Sequence, residues 1–399
     1  MNQLKNKVIE WVISRLSGKA RTLVPRYGFY AWACLGLRGI PVMLLRGPTL
    51  QSGQMGTLLV AGHDPWVSYL PSRFFFGEPQ RELVGNVSLR KLPALLDRLR
   101  ASADLTIVRA DRLSAQKFFG KDYLAVPEWV RMGFAVPSDL DGLVRGKRSI
   151  REDMRLARRH KLYPLVTEGD ERFDEFYESM YAPFSHVRHG AMAIIRGRQE
   201  LRRSSRKGGI LWIMRDNQSL AGMLFVRNKD ILDMQALGIV KEELPLKMRG
   251  IMAALYYHSI AHARQLGCAE VNFGAARSSL HDGLLRYKRK WGDALCDNPH
   301  SYYDLLIRWN SVNGVVKDFF SHTGLIFRDE EHLSAIYADE SQGCQSLWIG
   351  GLHRLYLLTE SGRQLMHDEK GATNTVNIHQ LENEDVFCLN PDTHSTGVV

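Results

Sequence analysis

The chain lacks most of the features that mark common protein classes from sequence. Its 399 residues include only five cysteines, Cys34, Cys268, Cys296, Cys344 and Cys388. They are scattered and odd in number, with no CxxC pair and no histidine spacing suited to zinc, which argues against a disulfide scaffold or a zinc module. A reduced, cytosolic protein is the expectation. After Met1-Asn2-Gln3-Leu4-Lys5-Asn6-Lys7 no apolar core with a small-residue cleavage site follows, so no signal peptide is expected. The most apolar early run, Phe29 to Leu45, is interrupted by Arg38 and Pro41 and is too short to span a bilayer. His353, His367, His379 and His394 are too dispersed to read as ligands, and no metal is expected.

What is present is an ordinary globular composition with a cationic bias. Hydrophobic residues make up 45% and charged residues 24%, which suffices for a sizeable core, and the length favours two domains or one duplicated domain with appendages. A formal charge of +10 favours anionic partners: nucleic acid, an acidic lipid surface or a phosphorylated small molecule.

Residues 1–50 alternate Lys and Arg with Val8, Ile9, Trp11, Val12, Ile13 and Leu16, which places the apolar side chains on one helix face. Such a helix either lies on an anionic membrane or packs on the core with its basic face solvated. From Gly56, short apolar runs at Thr57–Gly62, Arg81–Gly85 and Leu105–Val108 read as strands, with helical spacing over Leu89–Leu99 between them; this implies layered helices and sheets over residues 51–140. His63-Asp64 either forms an acid/base pair or caps a turn. Residues 143–160 read as a helix, with Ser149 near Glu152 and Asp153 as its start signal and Ile150, Met154 and Ala157 on one side. Its other face is strongly basic, a solvated face or a docking strip for an anionic substrate.

After a helix around Phe173–Tyr181 the pattern is a meander. Gly209–Met214, Leu220–Val226 and Ile231–Val240 read as strands joined by turns at Asp216-Asn217 and Asn228-Lys229-Asp230. A helix over Met248–Leu266 and a strand over Ala269–Phe273 follow, with Cys268 between them read as a small buried hydrophobe. The strand runs into Gly274-Ala275-Ala276-Arg277-Ser278-Ser279-Leu280-His281-Asp282-Gly283, then into the cationic, aromatic segment Leu284 to Gly292. Small backbone, hydroxyls and positive charge thus gather as an anion-handling site needs. Ser279–Asp282 also suits a helix cap, and Ser, His and Asp in one loop do not make a triad.

Meander, helix, strand and short helix together resemble the core of the GNAT acyltransferase superfamily. Asn272-Phe273-Gly274, the Ser/Asp/Gly loop and Tyr287-Lys288-Arg289-Lys290-Trp291-Gly292 resemble the signature of its FemAB-like branch. The resemblance covers roughly residues 140–310 and implies an α+β fold, a GNAT-like mixed sheet flanked by helices, with 51–140 as the degenerate first half of a tandem fold and 141–315 as the acyltransferase half. Residues 316–365 form an accessory region of unassigned fold, with Leu333–Tyr337 and Ser346–Ile349 as candidate strands, and 366–399 a polar tail.

The resemblance implies an N-acyltransferase that moves an acyl or aminoacyl group to an amine of a cell-envelope or polysaccharide precursor. Its co-substrate would be an acyl-CoA or an aminoacyl-tRNA, its acceptor an anionic small molecule or lipid-linked substrate, and tRNA its one nucleic acid. The implied location is cytoplasmic, with peripheral contact at the inner membrane face through residues 1–45. The superfamily's pyrophosphate loop aligns best with Lys247-Met248-Arg249-Gly250-Ile251-Met252, which keeps one glycine and offers Lys247 and Arg249 to hold phosphate by charge.

Acyl transfer requires an acceptor nitrogen held at the carbonyl, a route for its proton, and positive charge where the oxyanion develops. By the resemblance Lys288 supplies the charge, with Arg286, Arg289 and Lys290 strengthening the field. The alternative is a basic surface helix whose Tyr287 and Trp291 pack inward, four residues apart. Asp233 and Gln235 lie two apart on a strand and share a face, so Asp233 is the candidate proton acceptor. Asn272, Ser278, Ser279, Tyr287, Arg289 and Trp291 complete the expected binding set. A second class of function is an inactive GNAT-like scaffold binding an anionic glycolipid or RNA.

Overall fold

A computed structural model describes residues 39–62, 66–189, 195–240, 248–292, 294–299, 301–339 and 344–368. Most of the expected N-terminal amphipathic helix, His63-Asp64, Lys247 and the chain beyond Asp368 lie outside the described residues. Among the described residues no helix is long and apolar enough to cross a membrane.

The meander forms the centre of a five-stranded sheet in the order Glu270–Asn272, Ile231–Ile239, Gln218–Asn228, Gly208–Arg215, Tyr163–Glu168. Its hairpin turn at Asp216 (φ 49°) and Asn217 (φ 63°) takes the left-handed backbone that twisted two-residue hairpins require. Side-chain alternation sends Leu211 and Ile213 to one face and Ile210, Trp212 and Met214 to the other. Helices cover both faces, which accounts for the unbroken apolar run in this strand. On the first face lie Met248–Gln265 and Arg148–Arg159. The second is covered by Phe173, Phe176, Met180 and Tyr181, within a helical stretch that widens to a π-helix over Phe176–Tyr181.

Helix Arg148–Arg159 buries Ile150, Met154 and Ala157 as the spacing predicts. Its start differs: the capping residue is Lys147, no side chain caps it, and Ser149 lies inside the helix. The helix crosses Met248–Gln265 so closely that a Cβ on Gly250 would stand 3.1 Å from the backbone nitrogen of Ala157. The single glycine of the phosphate-loop alignment therefore serves a helix crossing.

A six-stranded sheet has the order Gln80–Val87, Ile40–Pro48, Met55–Ala61, Leu105–Asp111, Tyr303–Trp309, Leu124–Pro127. It draws on residues assigned above to three different segments, because Ile40–Pro48 precedes residue 51 and Tyr303–Trp309 returns from beyond residue 300 to pair between Leu105–Asp111 and Leu124–Pro127. A three-stranded sheet, Ala275–Ala276, Val130–Gly133, Ala294–Asp297, links the two larger ones. The architecture is thus α+β, mixed sheets flanked by helices.

The region left unassigned in the sequence forms helix Gly314–Thr323 and a four-stranded sheet, Leu325–Asp329, His332–Tyr337, Arg354–Thr359, Gly362–Asp368. Residues Ser346–Ile349 are not a strand; Cys344–Leu347 is a short helix. Phe327, Ile336 and Tyr356 enter the core of the six-stranded sheet, while Ile326, Ala335 and Leu355 enter a separate core with Val130, Leu285 and Leu295. Both faces are buried, so the region is a wedge between layers.

Truncating Phe327 and Ile326 singly to Ala is expected to destabilise the protein by about 2–5 kcal/mol each, since each leaves a cavity in a different core. Urea unfolding of the two variants checks this, and an unchanged midpoint for either would show that its face is uncovered.

Candidate active site

The geometry that sets the site apart is a fork in the five-stranded sheet. Parallel pairing of Ile231–Ile239 with Glu270–Asn272 runs only through Ile231–Glu270, Leu232–Val271 and Asp233–Asn272. One chain then turns away at Gly274, whose φ of 74° lies in the left-handed region where glycine meets no Cβ penalty. The other carries a register shift between Met234 and Ala236, a bulge at Gln235. Beyond the fork, the side of Met234 to Ile239 that faces away from Gln218–Asn228 has no strand partner among the described residues, so apart from the Gln235 carbonyl, which Arg196 occupies, its amides and carbonyls are not taken up by a ladder.

A chain of hydrogen bonds crosses the fork point. The Asn272 side-chain amide donates to Asp233 Oδ1 at 2.8 Å, and Asn228 donates to Asp233 Oδ2. Asn272 Oδ1 accepts the Gly274 N–H at 3.0 Å. Lys288 Nζ then donates to the carbonyls of Gly274 and Ala275 at 2.7 and 2.8 Å. Asp233, Asn272 and Lys288, separated in sequence, are brought together.

Lys288 rides on helix Gly283–Trp291, whose start is fixed by Asp282 accepting the Leu285 N–H at 2.8 Å. The lysine is only 3% exposed, and burial pulls its amine down to about 7 against the opposing pull of Asp282. The sequence reading gave this residue a standing positive charge beside an oxyanion; in its dry setting that charge is conditional on pH. A neutral amine has two N–H donors and one lone pair, and the two donors match the Gly274 and Ala275 carbonyls.

The neighbouring cations act as struts rather than as a shared field. Arg289 donates to the carbonyls of Ser346 (2.8 Å) and Trp348, tying the helix to the C-terminal wedge. Lys290 pairs with buried Asp153 at 3.1 Å and lies 5.1 Å from the centre of the Tyr287 ring. Arg286 is exposed. Tyr287 and Trp291 pack around Tyr256 at ring-centroid distances of 5.2 and 5.6 Å, and Phe273 stacks on the same ring at 4.1 Å. Trp291 is 1% exposed, and its indole N–H has no acceptor among the described residues.

Ser278 and Ser279, expected to bind donor or acceptor, are buried. Their hydroxyls donate to the carbonyls of Pro127 and Thr323, which pins the loop between two layers and commits both to structural acceptors. Gln235 accepts from Arg196 through its backbone carbonyl (3.0 Å) and side chain (2.9 Å), and Arg196 is held in turn by Glu200 at 2.8 Å. Arg196, which braces the bulge, went unrecognised in sequence because nothing in its spacing links it to a strand nearly forty residues later. Lys247 lies outside the described residues; Arg249 is described only as part of a helix backbone.

The folded lysine's proton affinity lies below its ordinary value of 10.5, so between about pH 7 and 10 the unfolded chain binds a proton that the folded chain does not, and stability rises with pH. Below 7 both states are protonated and the slope vanishes. Lys288→Met is expected to remove this gain, up to about 1.4 kcal/mol per pH unit relative to wild type, in urea unfolding at pH 7 and 9.5. Parallel pH dependence of the two proteins would show that Lys288 is not buried as described.

No protein-family model and no curated protein sequence matches this chain. Among solved structures it is similar to FemX, at 14% identity over 69% of this chain and 90% of that one, with a TM-score of 0.36. It is similar to L-PGS from Bacillus licheniformis at 14% identity, covering 69% and 87% of the two chains, TM-score 0.36. A GCN5-related N-acetyltransferase from Sphaerobacter thermophilus is 16% identical, with 65% and 82% covered and a TM-score of 0.30. FemAB-like and GNAT proteins thus stand among its structural neighbours, at a level of similarity that leaves the chemistry to be read from the chain's own residues.

Proposed function

We propose that this chain is a FemAB-like, GNAT-related N-acyltransferase that moves an acyl or aminoacyl group onto an amine of a cell-envelope or polysaccharide precursor, with the reaction at the fork. The observation that carries this reading is the unpaired edge beyond Asp233 and Asn272, joined by hydrogen bonds to a lysine that titrates near neutrality. A free strand edge presents fixed amide donors to a carbonyl oxygen, and such donors stabilise the oxyanion without reorganising during the reaction.

In this scheme the acceptor amine attacks the donor carbonyl, a C–N bond forms, and the C–S or C–O bond to the donor breaks. The proton leaving the amine passes to the Asp233 carboxylate at the fork and returns to the departing thiol or hydroxyl. Asn272 fixes the carboxylate, and Lys288 is a positioning residue that holds the Gly274 and Ala275 carbonyls so that the loop leaves the sheet at the fork. Lys247 and Arg249 would meet donor phosphates by charge, and the part of residues 1–45 that precedes strand Ile40–Pro48 would keep the protein at the inner membrane face near a lipid-linked acceptor, since Ile40, Val42, Leu44 and Leu45 are buried in the sheet.

The commitment of Arg289 and Lys290 to structural partners favours a second reading, an inactive scaffold that binds an anionic glycolipid or RNA. Thermal shift with acetyl-CoA, longer acyl-CoAs and tRNA in charged and uncharged form separates the two, because the transferase is expected to be stabilised by an acyl-CoA or more by charged than by uncharged tRNA, whereas an RNA-binding scaffold responds equally to both tRNA forms.

With the donor identified, Asp233→Asn, which keeps an acceptor for Asn272 but turns an amide toward Asn228, is expected to remain folded at the assay temperature with a lowered melting temperature, and to lower turnover by about 10²-fold or more, the scale of a lost general base. Lys288→Met should lower kcat and abolish the limb of the pH–rate profile near 7. Full activity in Asp233→Asn would sink the assignment of the fork.

A further inference from the structure

A second set of side chains converges where the layers meet, away from the fork. Helix Trp66–Phe74 carries Arg73 in its last turn, and helix Gly314–Thr323 carries His322 in its last turn. Between them runs the pinned loop, whose His281 ring is so close to Gly324 that a Cβ there would stand 3.2 Å from Cδ2 and 3.3 Å from Nε2. Arg286 stands one turn into the following helix, exposed. Contacts join the three elements: the Leu280 N–H donates to the Gly324 carbonyl at 2.6 Å, the Ser279 hydroxyl to that of Thr323, and Arg277 lies over Tyr69 of the first helix; in keeping with this, Arg73 disfavours protonation of both histidines, and His322 and Arg286 disfavour that of His281, in each case adding to burial. Behind them Arg277 lies between the rings of Tyr69 and Trp129, 4.4 and 4.5 Å from their centres.

Asp282, which also caps the helix, and Glu128, which also binds Arg109, counter Arg277, and Asp339 counters the cations at His281, but at His322 no carboxylate counters Arg73. His322 Nε2 is shut off from water with no hydrogen-bond partner among the described residues. Gathering cations costs free energy unless an anion joins them, and guanidinium and imidazolium groups together suit a multivalent oxyanion. The serines keep the lining in place by fixing the loop to Pro127 and Thr323.

We infer that the seam lined by Arg73, His281, Arg286 and His322 binds a phosphate or pyrophosphate group. This concerns binding alone and stands whether or not the fork transfers an acyl group. The same chemistry is carried by a soluble diphosphate ester and by a phospholipid head group.

The test uses the full chain in calorimetric titration with inorganic pyrophosphate at low salt. Wild type is expected to bind, more tightly at pH 6 than at pH 8 because protonated His281 and His322 then join Arg73 and Arg286, with Asp282 and Asp339 as the opposing carboxylates. The double variant Arg286→Ala/His322→Gln should lose at least tenfold in affinity with its melting temperature retained, while Arg90→Ala, an exposed arginine elsewhere, should bind as wild type. Co-sedimentation with phosphatidylcholine vesicles, with and without phosphatidylglycerol, identifies the source: binding to anionic vesicles that pyrophosphate displaces points to a lipid head group, and pyrophosphate binding without vesicle binding points to a soluble ester. Equal pyrophosphate affinity in wild type and double variant, or equal weakening by Arg90→Ala, overturns the proposal. Loss of transfer in Asp233→Asn with pyrophosphate binding intact keeps the two assignments separate.

Discussion

A lysine amine removed from water must be given hydrogen-bond acceptors, and much of this structure follows from how Lys288 is served. Two consecutive carbonyls can meet one Nζ only if the chain turns sharply, which the left-handed Gly274 allows. That turn ends the parallel ladder after three residue pairs and so opens the fork. Asn272 transmits the constraint by bonding Gly274 on one side and Asp233 on the other. Strand termination, loop path and carboxylate position are thus one coupled arrangement, and such networks respond to the loss of a member by more than one bond's worth.

The helix bearing Lys288 is held with comparable care. Its aromatic residues pack on Tyr256, Lys290 reaches buried Asp153 on a neighbouring helix, and Arg289 reaches the C-terminal wedge. A side chain gains precision from an element tied to several rigid neighbours, and here three different layers contribute.

Local order was legible in the sequence where periodicity was strong. The strands of the meander, the turn at Asp216-Asn217 and the helix from Met248 agree with short apolar runs bounded by turn residues and with a long apolar segment, because those signals are local. Asp282 as a helix cap and the inward packing of Tyr287 and Trp291 were legible for the same local reasons. Contacts between distant segments were not. Ser278 and Ser279 read as ligands because small hydroxyl residues in a glycine loop suit anions, yet their acceptors are Pro127 and Thr323. Gly250 read as part of a phosphate loop because a helix-start glycine suits phosphate, yet its neighbour is the backbone of Ala157. In residues 316–365 the strand at Leu333–Tyr337 was legible as an apolar run, but the sheet was not, because apolar runs buried on both faces name neither their partners nor the cores they enter.

The position of strand Tyr303–Trp309 bears on how the chain assembles during synthesis. It pairs with Leu105–Asp111 on one side and Leu124–Pro127 on the other, so those two strands are not joined to each other in the sheet until it arrives. A nascent chain emerging N-terminus first would therefore hold its first half with two apolar strand edges unpaired while the meander and the helix from Met248 emerge and fold. Such edges invite wrong pairing, and closure over so long a separation is slow. The first half of the molecule is in this sense translated early and completed late, and its solubility in the interval depends on what shields Leu105–Asp111 before residue 309 leaves the ribosome.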